Sequence, residues 1–155
     1  MSVDELDRRI LAELSENSRR SYRQIARRLA VATGTVVKRV KRLEAEGVIR
    51  KYTVSVDHEK LGYELTVVTE IVVSKGKLLQ MEEEIAKMPM TCAVYDVTGL
   101  TDAVIIAKFR GRDELSRFTK NLLSMPFVER TNTRLVLTTV KEDFRAPRVG
   151  DAASN

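Results

Sequence analysis

The chain has 155 residues, enough for one ordinary domain or two small ones, and 43% apolar content excludes a wholly disordered chain. Charged residues reach 32%, and no run approaches the roughly 18 consecutive apolar residues of a membrane span, so no membrane partner is expected. One cysteine, Cys92, excludes an internal disulfide; with His58 the sole histidine, a Cys/His zinc site is excluded too, and no cofactor is expected. The acidic start, Ser2-Val3-Asp4-Glu5, leads into no apolar signal core, and the expectation is a cytoplasmic protein.

The net charge of +5 is unevenly placed. Residues 1–62 carry 14 basic against 9 acidic side chains, whereas residues 63–155 carry 13 of each. Between residues 19 and 51 the count is 11 basic to 2 acidic. A solvated helix face would account for such a run, but a one-signed field over part of a protein also favours a polyanion, and nucleic acid is the commonest.

Ser2-x-x-Glu5 has capping-box spacing, and Asp4 offers an alternative cap. Leu6, Ile10 and Leu14 recur every four residues, which predicts a first helix to about Ser15. Ser21 to Gln24 forms a second capping-box pattern ahead of Ile25, Ala26 and Leu29. Val36, Val40 and Leu43 mark a third helix, ended by Gly47. Three short helices joined by tight turns form a helix-turn-helix unit.

From Arg50 to Val56 the period changes to two, with Tyr52, Val54 and Val56 alternating with Thr53 and Ser55, which reads as a strand. Asp57 to Gly62 is a turn or linker. The remaining order is strand (65–74), helix (Leu78, Met81, Ile85, Met88), strand (91–98), strand (102–109), helix (Leu115, Phe118, Leu122) and a long strand (128–141). The fold class is therefore α+β: a helix-turn-helix domain (1–52), a strand or linker (53–62), a ferredoxin-like βαββαβ domain (63–142) and a loose tail (143–155). Such a sheet leaves one face bare; Val67, Val72, Val94, Val104 and Ile106 are candidates to meet a second copy there, although alternation alone does not fix which face each occupies, so a homo-oligomer is expected.

On a helical wheel, Val40 and Leu43 fall within about 40° of Val36, so Gly34, Lys38, Lys41, Arg42 and Ala45 take the opposite side. That side suits a major groove: lysines donate to guanine or phosphate, and Gly34 permits close backbone approach. Val37 lies between, placed either to touch a thymine methyl or to pack on the first helix. The full contact set expected on DNA is Arg20, Arg23, Thr33, Gly34, Thr35, Val37, Lys38, Arg39, Lys41, Arg42 and Lys51. Arginines flanking the third helix read as phosphate clamps.

Asp4, Asp7, Ile10 and Leu11, then Arg19 and Ser21, then Arg39, Leu43, Glu44, Gly47, Val48 and Ile49 match in order a known set of motifs. Through them the chain resembles the leucine-responsive regulatory protein/asparagine-synthesis regulator (Lrp/AsnC) family of prokaryotic transcription regulators, over about residues 3–142. The family's usual turn Gly and capping Ser are here Ala30 and Ala32, and losing such a cap typically costs ~1 kcal/mol unless Thr33 takes over. Lys51 stands where the family commonly has Gly.

The resemblance implies an amino-acid effector site around Gly99, Leu100, Thr101 and Asp102, with Thr131 and Thr133 contributed by a neighbouring subunit. Asp102 would pair with an α-ammonium; a hairpin with Gly99 at positive φ and Asp102 satisfying its own turn explains the same residues. The expected partners are double-stranded DNA, further copies of the chain (a dimer, extending to a tetramer or octamer) and an amino acid. No Gly-x-Ser-x-Gly elbow, phosphate loop or dinucleotide fingerprint occurs, Cys92 reads as a core residue and Glu82–Glu84 as helix surface, so no enzyme is expected. A protein that coats DNA with little sequence choice, or a sensor whose helices bind another protein, would share these features.

Overall fold

A computed structural model describes residues 2–74 and 76–145, so the 146–155 part of the expected tail lies outside the described residues. The described chain separates into two compact units, residues 2–55 with 142–145, and residues 56–141.

The first unit holds α1 (Glu5–Glu16), α2 (Tyr22–Leu29) and α3 (Thr33–Ala45). Helix α1 starts where the Asp4 and Asp7 side chains cap each other's backbone N–H groups, at 2.9 and 3.0 Å. The Ser2/Glu5 pairing expected from spacing is displaced, because this box begins the helix at Glu5 and leaves Ser2 outside it. Helix α2 uses the expected Ser21/Gln24 box. The apolar stripes of all three helices meet in one core of Ile10, Leu14, Ile25, Ala26, Leu29, Val36 and Val40.

Ala30 adopts a left-handed conformation (φ 55°) to end α2, a geometry that costs an L-residue roughly 1–2 kcal/mol and that glycine would adopt freely. Ala32 caps α3 with no side-chain hydrogen bond, and Thr33 is already the first helical residue, so the cap does not shift. Gly47 supplies the positive φ (70°) that ends α3.

Residues 50–56 form no strand, against expectation. The alternation is real, but an isolated strand has no ladder, and no strand of the described chain lies beside this one to accept its N–H groups. Tyr52, Val54 and Val56 are left exposed.

The second unit holds β1 (Leu65–Val73), α4 (Leu78–Ala86), β2 (Thr91–Asp96), β3 (Ala103–Phe109), α5 (Arg112–Ser124) and β4 (Val128–Leu135). The strands form one antiparallel sheet in the order β2-β3-β1-β4. Helices α4 and α5 cover one face, where Met81, Ile85, Phe118 and Leu122 pack against Val67, Ile71, Ile105 and Phe109. Two of the five candidates for the bare face, Val67 and Val94, belong to this core side. The strict alternation of β1 puts Val67 and Ile71 inward, and Val94 pairs with inward Ile105. Val72, Val104 and Ile106 are the half-buried residues of the other face.

Strand β4 ends at Leu135 rather than Lys141 because its partner runs out: Leu135 opposes Val67, Val136 donates to the carbonyl of Thr66, and β1 begins at Leu65. Cys92 is exposed rather than a core residue, because it sits in a register shift between Thr91 and Ala93 of edge strand β2. Of the acidic run on α4, Glu83 and Glu84 are exposed, but Glu82 is half-buried, and burial followed by the nearby Asp96 raises its pKa. His58 is a turn residue, as expected, and meets the Tyr63 ring edge-on at 6.1 Å.

Candidate nucleic-acid interface and ligand pocket

Helix α3 buries Val36, Val40 and Leu43 and turns Gly34, Lys38, Lys41 and Ala45 outward, all exposed. Thr33 is exposed at its first turn, and Thr35 and Val37 are half-buried; Val37 does not pack into the three-helix core. Gly34 has no internal reason to be small, since a Cβ there would meet nothing within 4 Å. Arg23, Lys38, Lys41 and Lys51 make no ion pair with another described residue, so their charge is open to solvent.

Arg39, Arg42 and Arg20 are placed differently. Asp7 is fully buried, and its carboxylate accepts from Arg39 at 3.1 Å and from Arg42, while Arg39 also reaches Asp4. Arg42 thus leaves the solvent side expected from the wheel and ties α3 to the start of α1. The neighbouring Arg39 guanidinium, more than the Asp7 N–H, lowers the Asp4 pKa to about 2. Arg20 donates to the Glu13 carbonyl at 3.1 Å and to the Glu13 and Glu16 carboxylates at 2.8 Å, which closes the α1–α2 turn. Beyond α3, the Tyr52 hydroxyl donates to Glu44 at 2.8 Å; burial first, then this bond, raises its pKa.

In the second unit Gly99 has φ 123°, which favours glycine and shapes the loop between β2 and β3. Two side chains fasten that loop to β1. Thr101 donates to the Ile71 carbonyl at 2.7 Å, and Asp102 accepts from the Val73 N–H at 2.8 Å. Asp102 therefore satisfies the end of β1 rather than its own turn. Leu100 stands 95% exposed at the tip.

Beside the loop lies a pocket of about 650 Å³. Leu100 and Thr101 supply its rim, Glu70 and Val72 come from β1, and Arg130, Thr131, Asn132 and Arg134 come from β4. Thr133 is engaged with Thr69, their hydroxyls 3.0 Å apart. Glu70 accepts from Arg134 at 2.5 Å and from Asn132 at 3.1 Å, and Arg134 chiefly lowers its pKa. Glu70, Arg130, Asn132 and Arg134 were not foreseen; the signal was polar residues at every second position of β4, which share one face.

A helix-turn-helix with a bare cationic helix, followed by a sheet unit with a pocket that carries charged side chains, defines a DNA-binding transcription regulator with a ligand-binding domain. Residues 3–50 match the winged helix-turn-helix DNA-binding family and residues 66–146 the Lrp/AsnC ligand binding domain. The chain is similar to an HTH-type transcriptional regulator of Pyrococcus furiosus, 50% identical over 145 residues covering 94% of this chain and 98% of that protein. An HTH-type transcriptional regulator of Pyrococcus abyssi is 35% identical over 147 residues, 95% of this chain and 97% of that one. Among solved structures, a transcriptional regulator from Neisseria meningitidis in complex with L-Met superposes with TM-score 0.85 at 26% identity, over 94% of this chain and 97% of that one. The chain belongs to the Lrp/AsnC family of transcription regulators.

Proposed function

We propose that the chain is a homo-oligomeric, cytoplasmic regulator that recognises specific sequences in double-stranded DNA and answers to a small ligand, with residues 1–52 reading DNA and 63–142 assembling and binding the ligand. The observation that carries this reading is the outer side of α3, where Gly34, Lys38 and Lys41 are exposed and the lysines are unpaired among the described residues. Thr33, Thr35 and Val37 border that side, and Arg23 and Lys51 are placed to hold phosphates. Arg20, Arg39 and Arg42 act from behind, fixing the helices rather than touching DNA.

The half-buried Val104 and Ile106 of β3 favour a second copy of the chain over that part of the sheet's open face, beside the pocket walled by Val72. Two copies would set two recognition helices about one DNA turn, or a multiple of it, apart. A ligand in the second unit, the amino-acid class suggested by the L-Met complex of the Neisseria meningitidis regulator, couples to DNA by favouring one arrangement of copies.

The test is selection of bound sequences from random DNA, followed by competition. The selected sites should beat random duplex by at least ~10³. The double variant Lys38→Ala/Lys41→Ala should keep its fold, weaken binding and reduce the salt slope by about 2. Equal affinity for selected and random DNA would favour a DNA-coating protein, and salt-independent binding would remove DNA altogether.

A further inference from the structure

The pocket beside the β2–β3 loop has a charge pattern that the ligand reading leaves unused. Its three ionised side chains are Glu70, Arg130 and Arg134, a surplus of one positive charge. Glu70 and Arg134 neutralise each other across β1 and β4, and Asn132 adds a second donor to the same carboxylate. Arg130 faces Glu70 across the same pair of strands, opposite Val72 in register, but makes no ion pair with any described residue. Val72 and Leu100 supply its apolar side chains, so charge rather than shape is what distinguishes one amino acid from another here.

We propose that this pocket takes an amino acid with a second carboxylate, aspartate or glutamate, its side-chain carboxylate paired to Arg130 and its α-ammonium beside Glu70. The proposal rests on the effector reading above and narrows it. A ligand of net charge −1 matches the surplus, a zwitterionic amino acid of no net charge leaves the surplus uncompensated, and a lysine or arginine adds to it. Arg130 offers the planar fork that binds a carboxylate through two parallel bonds. Glu70 is held ionised by Arg134 and so remains an acceptor for an ammonium. Thr101 donates its proton to the Ile71 carbonyl, which leaves its oxygen lone pairs as acceptors at the rim. The polar strip runs along β4 and the adjoining edge of β1, whereas Val104 and Ile106 lie on β3, so one face carries both a charged pocket and an apolar patch.

The experiment is calorimetric titration of the full chain with L-glutamate, L-aspartate, L-methionine and L-lysine at moderate salt. One acidic amino acid should bind at least ten-fold tighter than methionine or lysine. Arg130→Met, checked by its melting curve, should lose at least ten-fold for the acidic ligand while methionine changes less than three-fold. Arg130→Glu should invert the order in favour of lysine. Tighter binding of methionine or lysine by the natural chain, or an acidic ligand indifferent to Arg130→Met, overturns the assignment and leaves the effector reading standing. Binding of none of the four removes both.

Discussion

Asp7 is the place where charge burial can be measured most directly. Its carboxylate has no exposure and holds Arg39 and Arg42 of α3, with one oxygen also accepting from the Asp4 N–H. Removing one member of a buried ion pair typically costs about 3–5 kcal/mol because the other charge is stranded. Here the stranded side chains keep 28% and 34% of their exposure, so water recovers much of their hydration, and Asp4 still holds Arg39. Asp7→Ala is therefore expected to cost about 2 kcal/mol, the scale of one or two hydrogen bonds to a charged group. Urea unfolding of the full chain followed by helix circular dichroism measures this, and the double variant Asp7→Ala/Arg42→Met should recover part of the loss. A loss under about 0.5 kcal/mol, within the scatter of ordinary surface substitutions, would refute the argument that α3 is held by this carboxylate. The same variant removes a negative charge and unties Arg42 from α1 while Asp4 keeps Arg39, so its affinity for random-sequence DNA should rise and become more salt-dependent even as the fold weakens.

Gly34→Ala should stabilise α3 by about 1 kcal/mol, since nothing inside the unit meets the new methyl, yet weaken binding to a selected site; stronger binding would argue against a close DNA approach there. Ala32→Ser supplies the missing side-chain acceptor at the α3 N-terminus and should add about 1 kcal/mol in the same urea assay. Asp4, held by Arg39 at about 2 rather than its ordinary 3.8, supports the fold when ionised, so its contribution is full above about pH 4 and fades as pH falls toward 2. A carboxyl titration followed by NMR with a midpoint near 3.8 would mean that the Arg39 contact is absent in solution.

Periodicity carried most of the architecture. Leu6, Ile10 and Leu14, or Val36, Val40 and Leu43, lie on one side of a helix by geometry alone, and tertiary structure only had to bring those sides together. The same geometry misplaced Arg42, because a wheel gives the direction of Cβ and not the reach of a guanidinium drawn to Asp7, a carboxylate 35 residues earlier. Residues 50–56 failed for a related reason: alternation records which side chains share a face, but a strand also needs a neighbour. Likewise Val136 to Val140 keep their β-forming character after Leu135 while β1 has already ended. The pocket was half legible. Gly99 marks the loop by its conformation, but Glu70 joins Arg130 and Arg134 only through the β1–β4 register, which is a long-range property of the sheet.

The irregular step between Thr91 and Ala93 sits on β2, one border of the sheet, and breaks the row of backbone groups that border would offer. The opposite border, β4, presents Arg130 and Arg134 instead of a plain apolar ribbon. Copies that joined border to border would repeat without limit and end as fibres. With both borders guarded in this way, the broad side of the sheet is what remains for the second copy proposed above, where two copies would satisfy each other and stop.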